Sequence, residues 1–363
     1  ALQEALAEAA AMINSAQKPI IIAGVELHRF GLQQQLLDLV ESTNIPVAAL
    51  LLSKSVISER HPLYLGLYEG AMGHDYVRDY IESSDCLIML GAFLTDVDLG
   101  IYTSKIDTGK AINITSEKLS IGRHGYEDVR LQDFLRGLVD AKLRPREYDS
   151  IRPFTAAINH VDTGAFSPVS GRKITIARLF QKLDCFLTDD MIVIADVGDA
   201  LFGGSDLVIH QGTEFLSPAY YLSLGFAVPA AVGAQMANPG LRPIVLVGDG
   251  AFQMTGMEIS TIARYRLNPV VIVINNRGYG TERPMLDGPF NDLQLWQYSA
   301  IPGLVGGNGK GFDVQTEDQL DEALAAAWKH EGYSILDVKI ESGDISPALQ
   351  RLGIRLAKKV RKQ

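Results

Sequence analysis

The sequence alternates short, fully apolar runs with segments whose apolar residues recur every three or four positions. At the start of the chain, for example, the helical spacing places Leu2, Leu6, Ala9 and Ile13 on one helical face. Apolar runs separated by helices are typical of parallel strands covered on both faces. We therefore predict an α/β fold with two doubly wound, mainly parallel sheets. The predicted strands are Ile20–Ala23, Val47–Leu50, Leu87–Leu90, Ala111–Ile114, Met191–Ala195, Ile244–Val247, Val270–Ile274 and Ile335–Val338.

The alternation lapses once, over residues 143–171, which are rich in Pro, Gly, Ser and charge. We interpret this stretch as a linker between a first domain at 1–142 and a second at 172–363. A length of 363 residues agrees with two domains at about 150 residues each. The second domain is predicted to end in a helix over Ser346–Lys362.

Charge and cysteine content narrow the function classes. The net charge of −10 argues against a nucleic-acid partner. The longest apolar runs fall far short of the roughly 18 residues needed to span a bilayer, so we expect no membrane partner. The first ten residues lack the basic region of a secretory signal. With only Cys86 and Cys185, a disulfide framework or thiolate zinc site is not expected, and we predict a cytoplasmic protein.

Two polar clusters follow neighbouring predicted strands. Gly248-Asp249-Gly250 comes after one strand, and Asn275-Asn276 ends the next, with room for one helix between them. Open α/β sheets bind ligands at this end of their strands, and glycines let the backbone approach a ligand closely. Carboxylate and amide oxygens suit Mg²⁺, which often shares its coordination with phosphates. Either cluster alone is a common turn or polar loop, but together they predict a magnesium–diphosphate site.

These clusters resemble the diphosphate-binding motif of thiamine-diphosphate enzymes. The continuation Asn276-Arg277-Gly278-Tyr279-Gly280-Thr281-Glu282 is similar to that of the 2-oxo-acid decarboxylases for pyruvate, indolepyruvate and phenylpyruvate. Phe290-Asn291-Asp292, followed by Trp296, matches an aromatic-Asn-Asp…Trp pattern of the same group, and Gly66-Leu67-Tyr68-Glu69-Gly70 resembles a stretch of their middle domain. The resemblance implies a Rossmann-like middle domain followed by a domain that binds thiamine diphosphate and Mg²⁺.

The resemblance also implies individual roles. Asp249, the side chain of Asn276 and the main-chain oxygen of Gly278 would ligate Mg²⁺. Gly248 would let the backbone approach the ligand, and backbone N–H groups of Gly250, Ala251 and Thr281 would bind the diphosphate. Ala251 stands where a serine is frequent.

Further cofactor contacts are implied at Leu222, Leu224 and Asp199. Leu222-Ser223-Leu224 matches a strand in which Leu222 would give a carbonyl to the aminopyrimidine and Leu224 would wedge the cofactor into its bent shape. A plain core leucine is the alternative for Leu224. Asp199 lies in a turn that usually carries threonines, and an acid is unexpected beside a diphosphate.

Glu282 is the candidate catalytic acid/base. Decarboxylation to an aldehyde needs proton transfers by a group that titrates near neutral pH, and burial beside a cofactor raises the pKa of a glutamate. The alternative is a surface glutamate that pairs with Arg283. The expected activity is non-oxidative decarboxylation of a 2-oxo acid, with Thr281-Glu282-Arg283 favouring an aromatic or large substrate over pyruvate.

Relatives have a preceding pyrimidine-binding domain that supplies a His-His pair, and this sequence has no such pair. We therefore expect the middle and C-terminal domains alone, inactive in isolation and completed in a homodimer or homotetramer. A carboligase of the acetolactate synthase type is an alternative that Glu282 argues against. A non-catalytic interaction module is another. No Gly-x-Gly-x-x-Gly follows Ile20–Ala23, so no FAD or NAD is expected there.

Overall fold

The apolar runs form strands in two separate sheets. The computed structural model describes residues 1–147, 165–210, 212–284 and 286–351. The chain divides into two compact units, Ala1–Asp162 and Thr163–Gln363. Most of the predicted linker, and residues 352–362 of the predicted terminal helix, lie outside the described residues. Within the described part, no helix is long and apolar enough to cross a membrane.

The first unit contains a sheet with the strand order β3-β2-β1-β4-β5-β6-β7. The first five strands in this order pair in parallel, and β6 and β7 add an antiparallel end. The strands are β1 Pro19–Ala23, β2 Val47–Ala49, β3 Tyr64–Leu67, β4 Cys86–Leu90, β5 Ala111–Ile114, β6 Leu119–Ile121 and β7 His124–Tyr126. The helices are α1 Leu2–Ser15, α2 Val25–Arg29, α3 Gln33–Thr43, α4 Asp75–Glu82 and α5 Leu131–Asp140.

The second unit contains an all-parallel sheet with the order β12-β13-β11-β10-β8-β9. The strands are β8 Met191–Ala195, β9 Glu214–Leu216, β10 Arg242–Gly248, β11 Val270–Asn275, β12 Lys310–Val314 and β13 Ser334–Lys339. The helices are α6 Ile176–Phe186, α7 Asp199–Ser205, α8 Ala227–Ala237, α9 Asp249–Thr255, α10 Ile259–Arg264, α11 Ile301–Val305 and α12 Glu317–Lys329.

The predicted α/β class with two mainly parallel sheets is confirmed, and every predicted strand is present. The strands that the sequence did not reveal are β3, β6, β7, β9 and β12, which lie at or next to sheet edges. An edge strand pairs on one side only and is often short or partly polar, so it lacks the continuous apolar pattern of a central strand. Lys310–Val314, for example, is exposed at Lys310 and buried at Val314.

A buried acid fixes one loop of the first unit. Asp98 is fully buried after β4, where its Oδ2 accepts hydrogen bonds from the backbone N–H and the hydroxyl of Thr95 at 3.0 and 2.9 Å. Its Oδ1 accepts the N–H of Leu51, after β2, at 3.2 Å. Burial raises the pKa of Asp98 to about 6 despite these donors.

This shifted pKa predicts a pH dependence of the first unit's stability. The folded state holds the Asp98 proton more tightly than the unfolded chain, so stability is greatest at low pH and is lost as pH rises through about 6. Relative to Asp98→Asn, the wild type should lose about 1–3 kcal/mol between about pH 4 and about pH 7.

Hydrogen exchange of the β4 amides measures this effect in the first unit, whereas both tryptophans, Trp296 and Trp328, report only on the second. Parallel pH profiles for the two variants would contradict the prediction.

Candidate functional site

Three neighbouring strands of the second unit end at the same edge of their sheet. β10 lies between β8 and β11 and pairs in parallel with both. Asp196 follows β8, Asp249 follows β10, and Asn276 follows β11. Because β9 lies on one side of β8 and β10 on the other, the chain reverses direction across the sheet at β8. The crevice at such a switch point is where open α/β sheets bind ligands.

A cleft of about 160 Å³ lies at this edge. Every predicted site residue except Leu222 lines it, namely Asp199, Leu224, Gly248, Asp249, Gly250, Ala251, Asn276, Gly278, Thr281 and Glu282. The structure thus brings together residues that are up to 83 positions apart (282 − 199). Their individual roles remain predictions.

Asp249 is the most constrained side chain of the cleft. It is 1% exposed; its Oδ1 accepts the N–H of Gly250 at 2.8 Å, and its Oδ2 accepts the N–H of Gly278 at 3.2 Å. Burial raises its pKa to about 6, against the lowering effect of the backbone donors. The carboxylate therefore joins the turn after β10 to the loop after β11.

Asn276 provides the test of whether a cation fits. Its side chain is 8% exposed, yet its Oδ1 is shielded from solvent and has no hydrogen-bond partner among the described residues. An unpaired buried acceptor is costly, and a cation would satisfy it. The described residues contain no group of three or more His, Cys, Asp or Glu side chains able to hold a metal. A metal here would therefore depend on amide and main-chain oxygens as well as Asp249, as Mg²⁺ sites commonly do.

Only some of the main-chain N–H groups that we expected to bind the diphosphate are free to do so. The N–H of Gly250 is already bonded to Asp249, so it is not free to bind a diphosphate in this conformation. Within the described residues, the N–H groups of Ala251 and Thr281 make no hydrogen bond. Gly278 must be glycine because a Cβ would lie 2.2 Å from the carbonyl oxygen of Asn291.

Residues 222–224 lie in a loop that turns at Leu224 and Gly225, and not in the expected strand. Leu222 has a left-handed backbone with φ of 53°, and Gly225 follows with φ of 86°. Leu224 is 42% exposed and lines the cleft, so the alternative of a core leucine is wrong. An apolar side chain left exposed at a cleft is available to a ligand.

Asp196 holds this turn in place, a role that the sequence did not reveal. It is fully buried; its Oδ1 accepts the N–H groups of Val197 and Gly225 at 2.9 and 3.0 Å, and its Oδ2 accepts that of Ala227 at 2.7 Å. The hydroxyl of Thr255, at the end of α9, donates to the carbonyl of Gly225 at 2.6 Å. An acid directly after a buried strand is the signal that could have pointed to this clamp.

Glu282 lies exposed at the cleft, and the proposed surface pair with Arg283 is absent. The Arg283 guanidinium instead donates to Asp287 and Asp292, each at 2.7 Å. Glu282 is held by its backbone, whose N–H donates to the carbonyl of Tyr279 at 3.1 Å. Its carboxyl group is therefore left to the cleft, where it is exposed and not buried as we expected.

Asp199, the first residue of α7, also lines the cleft. Its Oδ2 accepts the N–H of Ser346 at 2.8 Å, whereas its Oδ1 is shielded from solvent and unpartnered in the described part of the chain. Burial is the main reason that the pKa of Asp199 rises to about 6. Ser346 was not predicted as a neighbour, since it is 147 residues away in sequence.

Both units match domains of one group of enzymes. Residues 6–141 match the central domain of thiamine pyrophosphate enzymes, and residues 196–338 match their C-terminal TPP-binding domain. The chain thus contains the middle and C-terminal domains of thiamine pyrophosphate enzymes. The second match includes Asp196, Asp249, Asn276 and Glu282.

Curated relatives are named as decarboxylases. The chain is 31% identical over 352 residues to an indole-3-pyruvate decarboxylase of Azospirillum brasilense, covering 95% of this chain and 62% of that protein. It is 31% identical over 332 residues to an alpha-keto-acid decarboxylase of Mycobacterium avium, covering 91% and 58%. A probable pyruvate decarboxylase of Schizosaccharomyces pombe is 30% identical over 363 residues, covering 97% and 62%. The chain thus spans about three fifths of the length of these relatives.

The buried position of Asp249 predicts that metal-dependent binding fails when its charge is removed. Asp249→Asn keeps the shape of the side chain but removes the only formal charge among the three proposed ligands. Affinity for inorganic pyrophosphate with Mg²⁺, measured by calorimetry, should fall by more than about tenfold. Glu258→Gln, which removes the same charge from an exposed residue outside the cleft, is the control. Equal affinity in the two variants would remove Asp249 from the metal site.

Proposed function

We propose that this chain is the portion of a 2-oxo-acid decarboxylase that binds thiamine diphosphate through Mg²⁺. The observation that carries the proposal is one cleft holding the buried Asp249 carboxylate, the unpartnered Asn276 Oδ1 and the accessible Glu282 carboxyl. The names of the relatives support decarboxylation. Residues 1–142 would be the middle domain and 172–363 the cofactor-binding domain of a cytoplasmic enzyme.

Different residues would bind the metal ion and the diphosphate. Asp249, the Asn276 side chain and the Gly278 carbonyl would hold Mg²⁺, and the N–H groups of Ala251 and Thr281 would bind diphosphate oxygens. Gly278 already accepts a hydrogen bond from the N–H of Gly280 at 2.9 Å, and a carbonyl oxygen has a second lone pair for a cation.

One apolar and one acidic side chain, those of Leu224 and Glu282, would act on the part of the cofactor beyond its phosphates. Leu224, on a turn clamped by Asp196, would pack against the cofactor and fix its bent shape, with Leu222 offering its carbonyl. Thiamine diphosphate supplies the carbanion stabilisation that decarboxylation needs. Glu282 would hold and deliver the proton that the product aldehyde requires. A 2-oxo acid with an aromatic or large side chain is the proposed substrate, on the likeness of Thr281-Glu282-Arg283 to indolepyruvate-type enzymes.

An exposed apolar patch beside the cleft supports a covering partner. Tyr221, Leu224 and Met254 are 78%, 42% and 54% exposed, and Met254 lies next to the same clamped turn through Gly225. Exposed apolar patches mark interaction sites. The partner proposed here is a pyrimidine-binding domain, brought to the cleft in a homodimer or homotetramer.

Glu282→Gln should act on turnover and not on binding. The change keeps the shape of the side chain and removes the titrating group, so kcat for phenylpyruvate or indolepyruvate should fall by about 10²–10⁴ in an enzyme completed with its pyrimidine-binding domain. Cofactor affinity should stay within about twofold. Glu258→Gln, an exposed glutamate outside the cleft, is the control. A normal kcat with weakened cofactor binding would show that Glu282 is a binding residue.

The 363-residue chain alone should form no aldehyde from either substrate in the presence of thiamine diphosphate and Mg²⁺. Addition of the pyrimidine-binding domain should restore aldehyde formation, because that domain would supply the groups that activate the cofactor. Aldehyde release is followed with a coupled dehydrogenase. Sustained turnover by the purified chain alone would show that the second unit already contains a complete active site.

A further inference from the structure

The walls of the cleft carry a marked excess of negative charge. Three carboxyl groups line it, those of Asp199, Asp249 and Glu282, and no Lys, Arg or His is among its described lining residues. Hydroxyl donors are also scarce there, since Thr281 and Tyr279 are the lining residues that carry one. A diphosphate group entering this cleft therefore meets negative charge with few side-chain donors to offset it.

A metal ion bound by Asp249 and Asn276 would compensate the negative charge of Asp249. It would leave the carboxyl group of Asp199 without a function. Asp199 begins α7 on the β8 side of the cleft, whereas Asp249 and Asn276 follow β10 and β11. Its Oδ1 faces no hydrogen-bond donor within the described residues, although it is shielded from solvent. A buried carboxylate oxygen without a partner projects its charge through a medium that screens it poorly.

The Asp199 side chain is also held in position. The N–H of Ser346 donates to its Oδ2 at 2.8 Å, so the carboxyl group cannot turn away from the cleft without losing that bond. Ser346 is itself fully buried, and a second contact fastens the same segment to the end of α7, where Arg351 donates to Asp206 at 2.7 Å. The negative charge is thus a fixed feature of the cleft wall.

We propose that Asp199 is a specificity-determining residue that opposes binding of the diphosphate group and thereby makes occupancy of the cleft depend on a high concentration of divalent cation. The proposal rests on the proposed function in taking a diphosphate as the ligand. At low Mg²⁺ the repulsion keeps the cleft empty, and at high Mg²⁺ cation association with the diphosphate oxygens offsets it.

The test compares Asp199→Asn with the wild-type chain in calorimetric titrations of inorganic pyrophosphate. Titrations run from about 0.5 to about 20 mM Mg²⁺, at about pH 8, where the Asp199 carboxyl is ionised. Asparagine keeps an oxygen that accepts the N–H of Ser346, so the fold of the 346–351 segment is preserved. Asp199→Ser is a second variant, which removes the charge and adds a hydroxyl donor.

Glu258→Gln is the control, because it removes the same formal charge from an exposed residue that lies outside the cleft and outside the segment that holds Asp199. At the lowest Mg²⁺ concentration, Asp199→Asn and Asp199→Ser should bind pyrophosphate about tenfold or more tightly than the wild type. The gain should shrink as Mg²⁺ rises, and Glu258→Gln should match the wild type throughout.

The outcomes separate this inference from the proposed function. If the wild type and every variant bind pyrophosphate equally, Asp199 has no such role and the diphosphate assignment stands. An equal gain in Glu258→Gln overturns the inference in favour of a general effect of net charge. If no variant binds at any Mg²⁺ concentration, the diphosphate assignment and the role of Asp199 both fail.

Discussion

The Asp249 carboxylate is the interaction on which the geometry of the cleft depends. Its two oxygens bond the N–H groups of Gly250 and Gly278, so one buried side chain fixes the turn after β10 against the loop after β11. A buried carboxylate is tolerated only when donors or a cation compensate it. Burial raises the pKa of Asp249 to about 6 although backbone donors lower it, so these donors offset the burial only in part. The remaining deficit, beside the unpartnered oxygen of Asn276, is what the proposed Mg²⁺ would offset.

Both units contain a parallel sheet in which the strand order reverses at one point, but the crevice at that point is closed in the first unit and open in the second. In the first unit the crevice between β1 and β4 is closed by the backbone, since a Cβ on Gly24 would lie 2.0 Å from the carbonyl oxygen of Gly91. In the second unit the corresponding place, between β8 and β10, is open and lined by polar side chains. The shared topology offers a ligand position twice, and the residues that follow the strands decide whether it remains a cleft.

The sequence predicted the parts of this molecule that follow from local pattern. Central strands such as Val270–Asn275 are buried on both faces, so their continuous apolar runs identify them. Asp249 and Asn276 could be placed together because each follows a central parallel strand. Edge strands such as Glu214–Leu216 lack that pattern, and the turn at Leu222 depends on a left-handed backbone that leucine rarely adopts. Contacts between distant residues, such as Asp199 with Ser346, leave no trace in local pattern.

The clamp on Gly225 shows why the cleft's shape does not depend on a ligand. Asp196 bonds the N–H of Gly225, and Thr255 bonds its carbonyl, so the turn that carries Leu224 is tied both to β8 and to the far end of the helix that begins at Asp249. Movement of the turn would break charge-assisted hydrogen bonds to a fully buried carboxylate, which is costly. An apolar side chain favours burial over exposure to water. Leu224 stays exposed at the cleft because hydrogen bonds hold its backbone in place. A protein that keeps an apolar group in water by such means has its binding surface prepared before the ligand arrives, and this lowers the entropy cost of binding.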